Sequence, residues 1–314
     1  MRAIEMAAEQ KTTIRKAIVI YNPRSGSLFA AQDESHEAAL RKLFEDRGIE
    51  PEFYVFDLES LPQIIERAEA ERVDALVVCG GDGSILAVVA ALGERKLPLG
   101  LIPAGTMNVL ARDIGLPTEP EAAVDVLAAA KIETIDVGFV NGRPFLCNSE
   151  IGFMTPLAQT REQLRELPWW RRWPAMVVHG LNLLRTYPRL RVTFNVDGKM
   201  HRFYTRAVVV SNNLLSDSPG PIPRRDTLRA GTLGIYVACD TSNWTLLRLA
   251  ARMMSGFWHG DAALETIASD SAVLSVEPSQ PLAVMNDGES SRLETPLHFT
   301  IRPQALRVLV PATS

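Results

Sequence analysis

Between residues 16 and 131 the sequence alternates short apolar runs with stretches of helical spacing, and this alternation narrows the fold more than any other feature. The runs at 17–21 (AIVIY), 52–56 (EFYVF), 74–79 (DALVVC) and 98–102 (PLGLI) are continuous, as strands buried on both faces are. After the first comes a helical stretch with Leu40, Leu43 and Phe44 on one face. Ser60 is expected to cap a helix starting at Leu61, with Pro62 in its first turn. Residues 84–92 read as a helix that Gly93 ends, and another helix follows A-G-T-M-N (104–108). Thr118-Glu-Pro-Glu121 has capping-box spacing before a helix over 122–130. Strands taking turns with helices predict an open parallel sheet covered on both faces.

After residue 132 the pattern changes. Val140-Asn-Gly-Arg143 and Val196-Asp-Gly-Lys199 carry the dipeptides that favour positive φ in two-residue hairpin turns. Alternating or β-branched runs recur at 191–196, 205–210, 233–237, 272–276, 282–285 and 297–301, which predicts a mainly antiparallel β-sandwich. Helices are expected over 163–186 and 244–256. The division expected is 16–134 for the α/β domain and 135–304 for the sandwich, leaving 305–314 as a C-terminal segment.

The chain of 314 residues is long enough for two domains. A net charge of −4 argues against a nucleic-acid binder, which would carry a basic face. Cys79, Cys147 and Cys239 are scattered and odd in number, so they make neither a disulfide framework nor a zinc site. They suit a reducing cytoplasm. The N-terminus lacks the apolar segment of a signal peptide, and no uncharged apolar run approaches the ~18 residues of a membrane span. These features predict a soluble, cytoplasmic protein.

In a parallel α/β sheet, ligands bind beyond the carboxyl ends of the strands. Three loops fall there: Asn22-Pro-Arg-Ser-Gly-Ser27, Gly80-Gly-Asp-Gly-Ser84 and Ala104-Gly-Thr-Met-Asn108. Glycine lets backbone N–H groups approach an anion, and a following helix N-terminus adds favourable partial charge. Ser25, Ser84 and Thr106 supply hydroxyl donors. One such loop is also what a tight strand-to-helix turn needs for geometry alone; three at one sheet edge point to a phosphate site. Asp82 would repel phosphate there unless it serves a metal ion or a reacting hydroxyl, or simply forms the turn. The P-loop, the G-x-G-x-x-G fingerprint and the G-x-S-x-G elbow are all missing from the sequence.

N-P-R-S-G (22–26), G-G-D-G-S (80–84), P-A-G-T-M-N-V-L-A-R (103–112), I-D-V-G (135–138) and N-D-G-E (286–289), in this order and spacing, resemble the diacylglycerol kinase catalytic-domain family, which includes bacterial lipid kinases and sphingosine and ceramide kinases. G-G-D-G alone is shared with NAD kinases and phosphofructokinases. The resemblance covers roughly residues 16–310. It implies a nucleotide-binding α/β domain, with a parallel sheet of the NAD kinase and phosphofructokinase kind, followed by a β-sandwich, with the end of the chain (305–314) returning to the first domain. It also implies use of ATP with Mg²⁺ to phosphorylate a hydroxyl of diacylglycerol or a similar lipid. Asn22, Ser25, Gly26, Gly80, Gly81, Asp82, Gly83, Ser84, Thr106 and Asn108 would form the nucleotide site, with Asp82 arranging the ATP-bound Mg²⁺. Glu289 would accept the proton of the attacking hydroxyl, although Asp287-Gly288 is also an ordinary hairpin turn.

The sequence departs from the family pattern at Val109, where aspartate is common, and loosely at Asp57, where threonine is usual. Ala230 replaces an aspartate near the structural Mg²⁺ site of many bacterial members, so no structural metal is expected. Trp169, Trp170, Arg171, Arg172 and Trp173 have the composition of a membrane-interface segment, so peripheral contact with the inner membrane surface is one reading. A helix packing its aromatics onto the sandwich is the other. The acceptor lipid and the oligomeric state, a homodimer included, are left open. The alternatives to a lipid kinase are a kinase for a soluble acceptor, such as NAD or a sugar phosphate, and a nucleotide-binding module without catalysis.

Overall fold

The computed structural model describes residues 13–25, 34–153, 155–157, 160, 164, 168–220, 223–239 and 242–312. The chain divides into two compact units, Met1–Ile135 with Gln304–Ser314, and Asp136–Pro303.

The first unit is a parallel sheet. Strands β1 (Lys16–Tyr21), β2 (Glu50–Val55), β3 (Ala75–Gly80) and β4 (Leu99–Pro103) lie in the order β2-β1-β3-β4, and the end of the chain's last strand (Leu297–Val310) adds beside β4 through Val308 and Leu99. Both faces are covered. Ala17, Val19, Val77 and Cys79 turn to the side holding Leu40 and Phe44 of helix α1 (Glu34–Glu45) and Ala123, Val124 and Leu127 of a later helix. Ile18, Ile20, Leu76 and Val78 turn the other way and are equally buried. Helices α2 (Leu61–Ala70) and α3 (Asp82–Leu92) pack on each other there. The remaining helices of the unit are α4 (Val109–Asp113) and α5 (Pro120–Ala128).

Two expected caps are corrected. Ser60 stands at the N-cap of α2 but in helical conformation, and its hydroxyl donates to the Asp57 carbonyl instead of accepting from the helix. Asp57 in turn accepts the Ser60 N–H, so the turn before the helix absorbs both polar groups. Thr118 caps nothing: α5 has Glu119 at its N-cap with no side-chain bond, and Pro120 opens it. Proline at the first position has no N–H to satisfy and arrives with helical φ, which removes part of the need for a cap. Helix α3 begins at Asp82, two residues earlier than its apolar run suggests.

The second unit is a sandwich. One sheet runs in the order β12 (Leu264–Ser269), β11 (Leu233–Ala238), β10 (Ala207–Asn212), β7 (Asn148–Gly152), β14 (Leu282–Asn286), β15 (Glu289–Leu293), antiparallel throughout. The other contains β9 (Lys199–Thr205), β8 (Leu190–Val196), β13 (Ser271–Glu277) and the start of β16, the last strand named above. A hairpin of β5 (Lys131–Val140) and β6 (Arg143–Phe145) joins the core through Val140 and Phe145. The inward residues of both sheets, among them Phe194, Val210, Ile235, Leu274, Val284 and Phe299, form one continuous core. Asn141-Gly142, Asp197-Gly198 and Asp287-Gly288 each make a hairpin turn with positive φ at both positions, as mirror-image two-residue turns require.

Two helices complete this unit, α6 (Trp169–Thr186) and α7 (Asn243–Ser255). Ser242 caps α7 by accepting the Thr245 N–H, and Gly256 ends it in the left-handed region. Most of the segment expected to be helical before Trp169 lies outside the described residues, as do the side chains of Trp169, Arg172 and Trp173. Among the described residues no helix is long and apolar enough to cross a membrane.

The C-terminal strand is part of the first unit's core. Leu309 is fully buried against β4 and α5 side chains. Leu309→Ala is expected to lower the stability of that unit by about 2–5 kcal/mol, as truncation of a buried leucine does. Chemical denaturation followed by a probe in the α/β unit checks this; an unchanged midpoint would contradict it.

Candidate functional site

In the first unit the three glycine loops leave the carboxyl ends of β1, β3 and β4, and specific contacts bind them to one another. The Asn22 side chain donates from Nδ2 to Ser84 Oγ at 2.8 Å, while its Oδ1 accepts the Arg24 N–H at 2.9 Å. A single Asn thus shapes its own turn and ties the first loop to α3. Ser25 N–H bonds back to the Asn22 carbonyl, and Gly26 lies outside the described residues.

The second and third loops touch glycine to glycine. A Cβ added at Gly105 would stand 2.6 Å from Gly81 Cα and 2.8 Å from Asn108 Oδ1; one added at Gly81 would stand 3.2 Å from Gly105 Cα. A side chain at 105 does not fit between these backbones, and one at 81 is tight. The third loop is then closed by Asn108, which accepts the Gly105 N–H with Oδ1 and donates from Nδ2 to the Gly105 carbonyl, both at 2.9 Å. Asn108 has φ 47° and ψ 48°, a left-handed conformation asparagine tolerates. Its side chain is therefore occupied within the loop. Thr106, at the tip, is exposed.

Asp82 sits at the first position of α3, and its Oδ1 accepts the Val109 N–H at 2.9 Å. The carboxylate caps α4 across 27 residues of sequence. Burial pushes the Asp82 pKa up, opposed by the backbone N–H groups of Val109, Asn108 and Leu110. The position at which the sequence departs from the family's aspartate thus contributes its main chain, which valine supplies as well as any residue. No side chain caps α3 itself, so its first-turn N–H groups are left for an anion.

This arrangement fits a nucleotide phosphate. It fits Mg²⁺ in the way that ion binds, through one carboxylate together with phosphate oxygens. Asp82 is the carboxylate at hand; among the described residues no group of three His, Cys, Asp or Glu converges on a point. At Ala230, where a family aspartate is missing, the Ala230 N–H donates to Asn213 Oδ1 and the Gly231 N–H to Asp136 Oδ2, so this loop is held by backbone amides.

In the second unit the N-D-G-E turn is anchored by a carboxylate that the sequence reading passed over. Asp287 accepts three consecutive amides, those of Leu146, Cys147 and Asn148, at 2.6, 2.8 and 2.9 Å. The carbonyl of Leu146 meanwhile accepts from the buried Arg225 guanidinium and from Asn212 Nδ2. Burial lifts the Asp287 pKa to about 6, against those amides and Arg225. Glu150 stands on β7 in register with Met285 and Val209. Its Oε2 is enclosed without a hydrogen-bond partner. Burial, and then the Asp287 charge, push its pKa up to about 7. Glu289 pairs with Asn286 across the turn and is exposed.

The glycine loops and the Asp287 turn fall within the stretches of the chain that two family models match. A model of the diacylglycerol kinase catalytic domain matches residues 16–140, and one of the YegS C-terminal NAD kinase beta sandwich-like domain matches 158–310. Residues 16–140 thus carry a domain of the diacylglycerol kinase catalytic kind, and a kinase-family domain implies use of ATP. Among its relatives, the protein named diacylglycerol kinase in Mycobacterium tuberculosis strain H37Rv is 29% identical over 95% of this chain and 96% of its own length. The Bacillus subtilis strain 168 protein of that name is 26% identical over 88% and 90%. A crystal structure of a diacylglycerol kinase from Bacillus anthracis strain Sterne superposes with a TM-score of 0.68 at 18% identity, covering 96% of this chain and 99% of that one, which establishes the shared fold.

Glu150 and Asp287 hold their protons more tightly folded than unfolded. Their contribution therefore favours folding at low pH and is lost as pH rises through folded values near 6 and 7. Glu150→Gln removes one of these charges. Its melting temperature is expected to exceed the wild type at about pH 8, by the equivalent of up to about 3 kcal/mol, and to match it at about pH 4, below the unfolded value of a glutamate. Thermal melts at both pH values check this; no gain at the higher pH would contradict it.

Proposed function

We propose that the protein is an ATP-dependent lipid kinase that transfers the γ-phosphoryl group to a hydroxyl of diacylglycerol or a similar lipid. The observation that carries this reading is the joined pair of loops around Gly81 and Gly105, with Asp82 at the uncapped start of α3, in a domain of this kinase family. The α3 N–H groups, Ser84 and Thr106 bind and orient the phosphates of ATP. Asp82 would hold Mg²⁺, and the ion would neutralise charge on the phosphates.

The acceptor oxygen forms a bond to the γ-phosphorus as the bond from that phosphorus to the β–γ bridging oxygen breaks, and ADP leaves. The hydroxyl proton passes to the Glu289 carboxylate. Glu289, exposed on an edge strand, is open to an incoming substrate. Positioning and charge neutralisation are the main demands of such a transfer, and both are met by fixed backbone and a few side chains.

A lipid acceptor is further supported by apolar side chains left on the surface of the second unit. Trp170, Val178, Trp244, Leu247, Met254 and Phe257 are all exposed, and the Arg171 guanidinium lies 4.7 Å over the Trp170 ring. Such groups suit peripheral contact with a bilayer holding the substrate.

The test is transfer of labelled γ-phosphate from ATP with Mg²⁺ into a panel of lipids in mixed micelles. Wild type is expected to label a lipid, and Glu289→Gln to lose at least about 100-fold in turnover while keeping its ATP affinity. Label appearing only in NAD or a sugar phosphate would refute the lipid acceptor, and full turnover by Glu289→Gln would remove that residue from proton transfer. Asp82→Asn separates two roles of one residue. Its amide oxygen still accepts the Val109 N–H, so it should melt within about 2 °C of wild type yet lose about 100-fold or more in turnover. Retained turnover would leave Asp82 as a helix cap alone.

A further inference from the structure

Beside Glu289, the inner face of the sandwich carries two polar side chains that the fold leaves unsatisfied. The register places them in one row. Val210 of β10 faces Ser149 of β7, Ser149 faces Asn286 of β14, and Asn286 faces Glu289 of β15. Neighbours two residues along the same strands, Val208, Ile151 and Val284, belong to the sandwich core, so this row points inward as well. Directly opposed residues of antiparallel strands hold their Cβ atoms about 5 Å apart. The row therefore runs from the exposed Glu289 at the sheet edge, through Asn286, to Ser149 in the interior.

Asn286 is 5% exposed and Ser149 is 0% exposed. Asn286 donates from Nδ2 to the Pro144 carbonyl at 3.4 Å, which orients the amide, and its Oδ1 has no partner. The Ser149 hydroxyl has none either. Buried polar groups are paired almost everywhere in folded proteins, so an unpaired one calls for a physical reason, a functional role among them. Two such groups stand side by side, next to the residue assigned to accept the substrate's proton. The unpaired atom on the residue opposite Glu289, Asn286 Oδ1, can only accept a hydrogen bond.

We propose that Asn286 and Ser149 form a specificity site for the acceptor, and that the preferred acceptor lipid carries a second hydrogen-bond donor, a hydroxyl or an amide N–H, beside the hydroxyl that is phosphorylated. Asn286 Oδ1 accepts from that donor, and Ser149 bonds to the next polar atom inward. A diacylglycerol has no donor besides its reacting hydroxyl, so it leaves Asn286 Oδ1 unpaired. A site built around a substrate hydrogen bond discriminates strongly against an analogue lacking it. This inference rests on the lipid-kinase reading and sharpens it.

The test compares three acceptors of matched acyl length in mixed micelles: 1-monoacylglycerol, an N-acylated amino alcohol and diacylglycerol. Wild type is expected to favour the two donor-bearing lipids over diacylglycerol by at least about tenfold in kcat/KM. Asn286→Leu, close in shape, should bring that ratio near one while keeping turnover of diacylglycerol. Ser149→Ala, which deletes one small group, should reduce the ratio and serves where the first variant fails to fold. A wild-type preference for diacylglycerol, or a ratio unchanged in both folded variants, overturns the proposal and leaves the pair to a buried water or to packing. Phosphorylation of none of the three, with ATP still bound, instead overturns the lipid-kinase reading itself.

Discussion

The contact of Gly81 with Gly105 is the constraint on which the nucleotide face depends. Two loops leaving adjacent parallel strands meet at backbone distance, which requires glycine at 105 and leaves little room for a side chain at 81. Everything around that contact is arranged to hold it. Asn108 closes the third loop on Gly105, Asp82 reaches from the second loop to cap α4, and Asn22 brings in the first loop through Ser84. The result is a fixed surface of backbone donors at the start of a helix that no side chain caps. Such preorganisation is what phosphoryl transfer asks of a protein, because the chemistry itself needs little covalent help.

The second unit solves a different problem by a related device. Asp287 lies in a hairpin turn, yet its carboxylate faces inward and gathers three successive amides. That fixes the turn, and with it the register that brings Ser149, Asn286 and Glu289 into one row. The arrangement takes the carboxyl groups of two half-buried residues, Asp287 and Glu150, out of water, which the fold tolerates because amides and Arg225 surround one and a raised pKa neutralises the other.

Much of this was legible in the sequence, for physical reasons. Continuous apolar runs such as AIVIY encode strands buried on both faces, and Asn-Gly and Asp-Gly encode turns that need positive φ, so the α/β unit and the sandwich both follow from local chemistry. The glycine loops stand out by the same local chemistry, whereas Glu289 is singled out only by the family resemblance. What escaped is non-local. The Asp82 carboxylate meets its partner 27 residues away, Gly105 matters because Gly81 faces it, and Asn286 and Ser149 become neighbours only once strand register is known. Thr118-Glu-Pro-Glu121 misled because its spacing is right while Pro120 already starts the helix unaided.

The account turns on the second and third loops acting as one nucleotide-binding surface. The measurement that tests it most directly is calorimetric titration of a non-hydrolysable ATP analogue, with Mg²⁺, into wild type and Gly105→Ala. The added methyl must displace either Gly81 or Asn108, so affinity is predicted to fall by at least about tenfold while the sandwich melts as in wild type. Unchanged affinity in a folded Gly105→Ala protein would contradict the account.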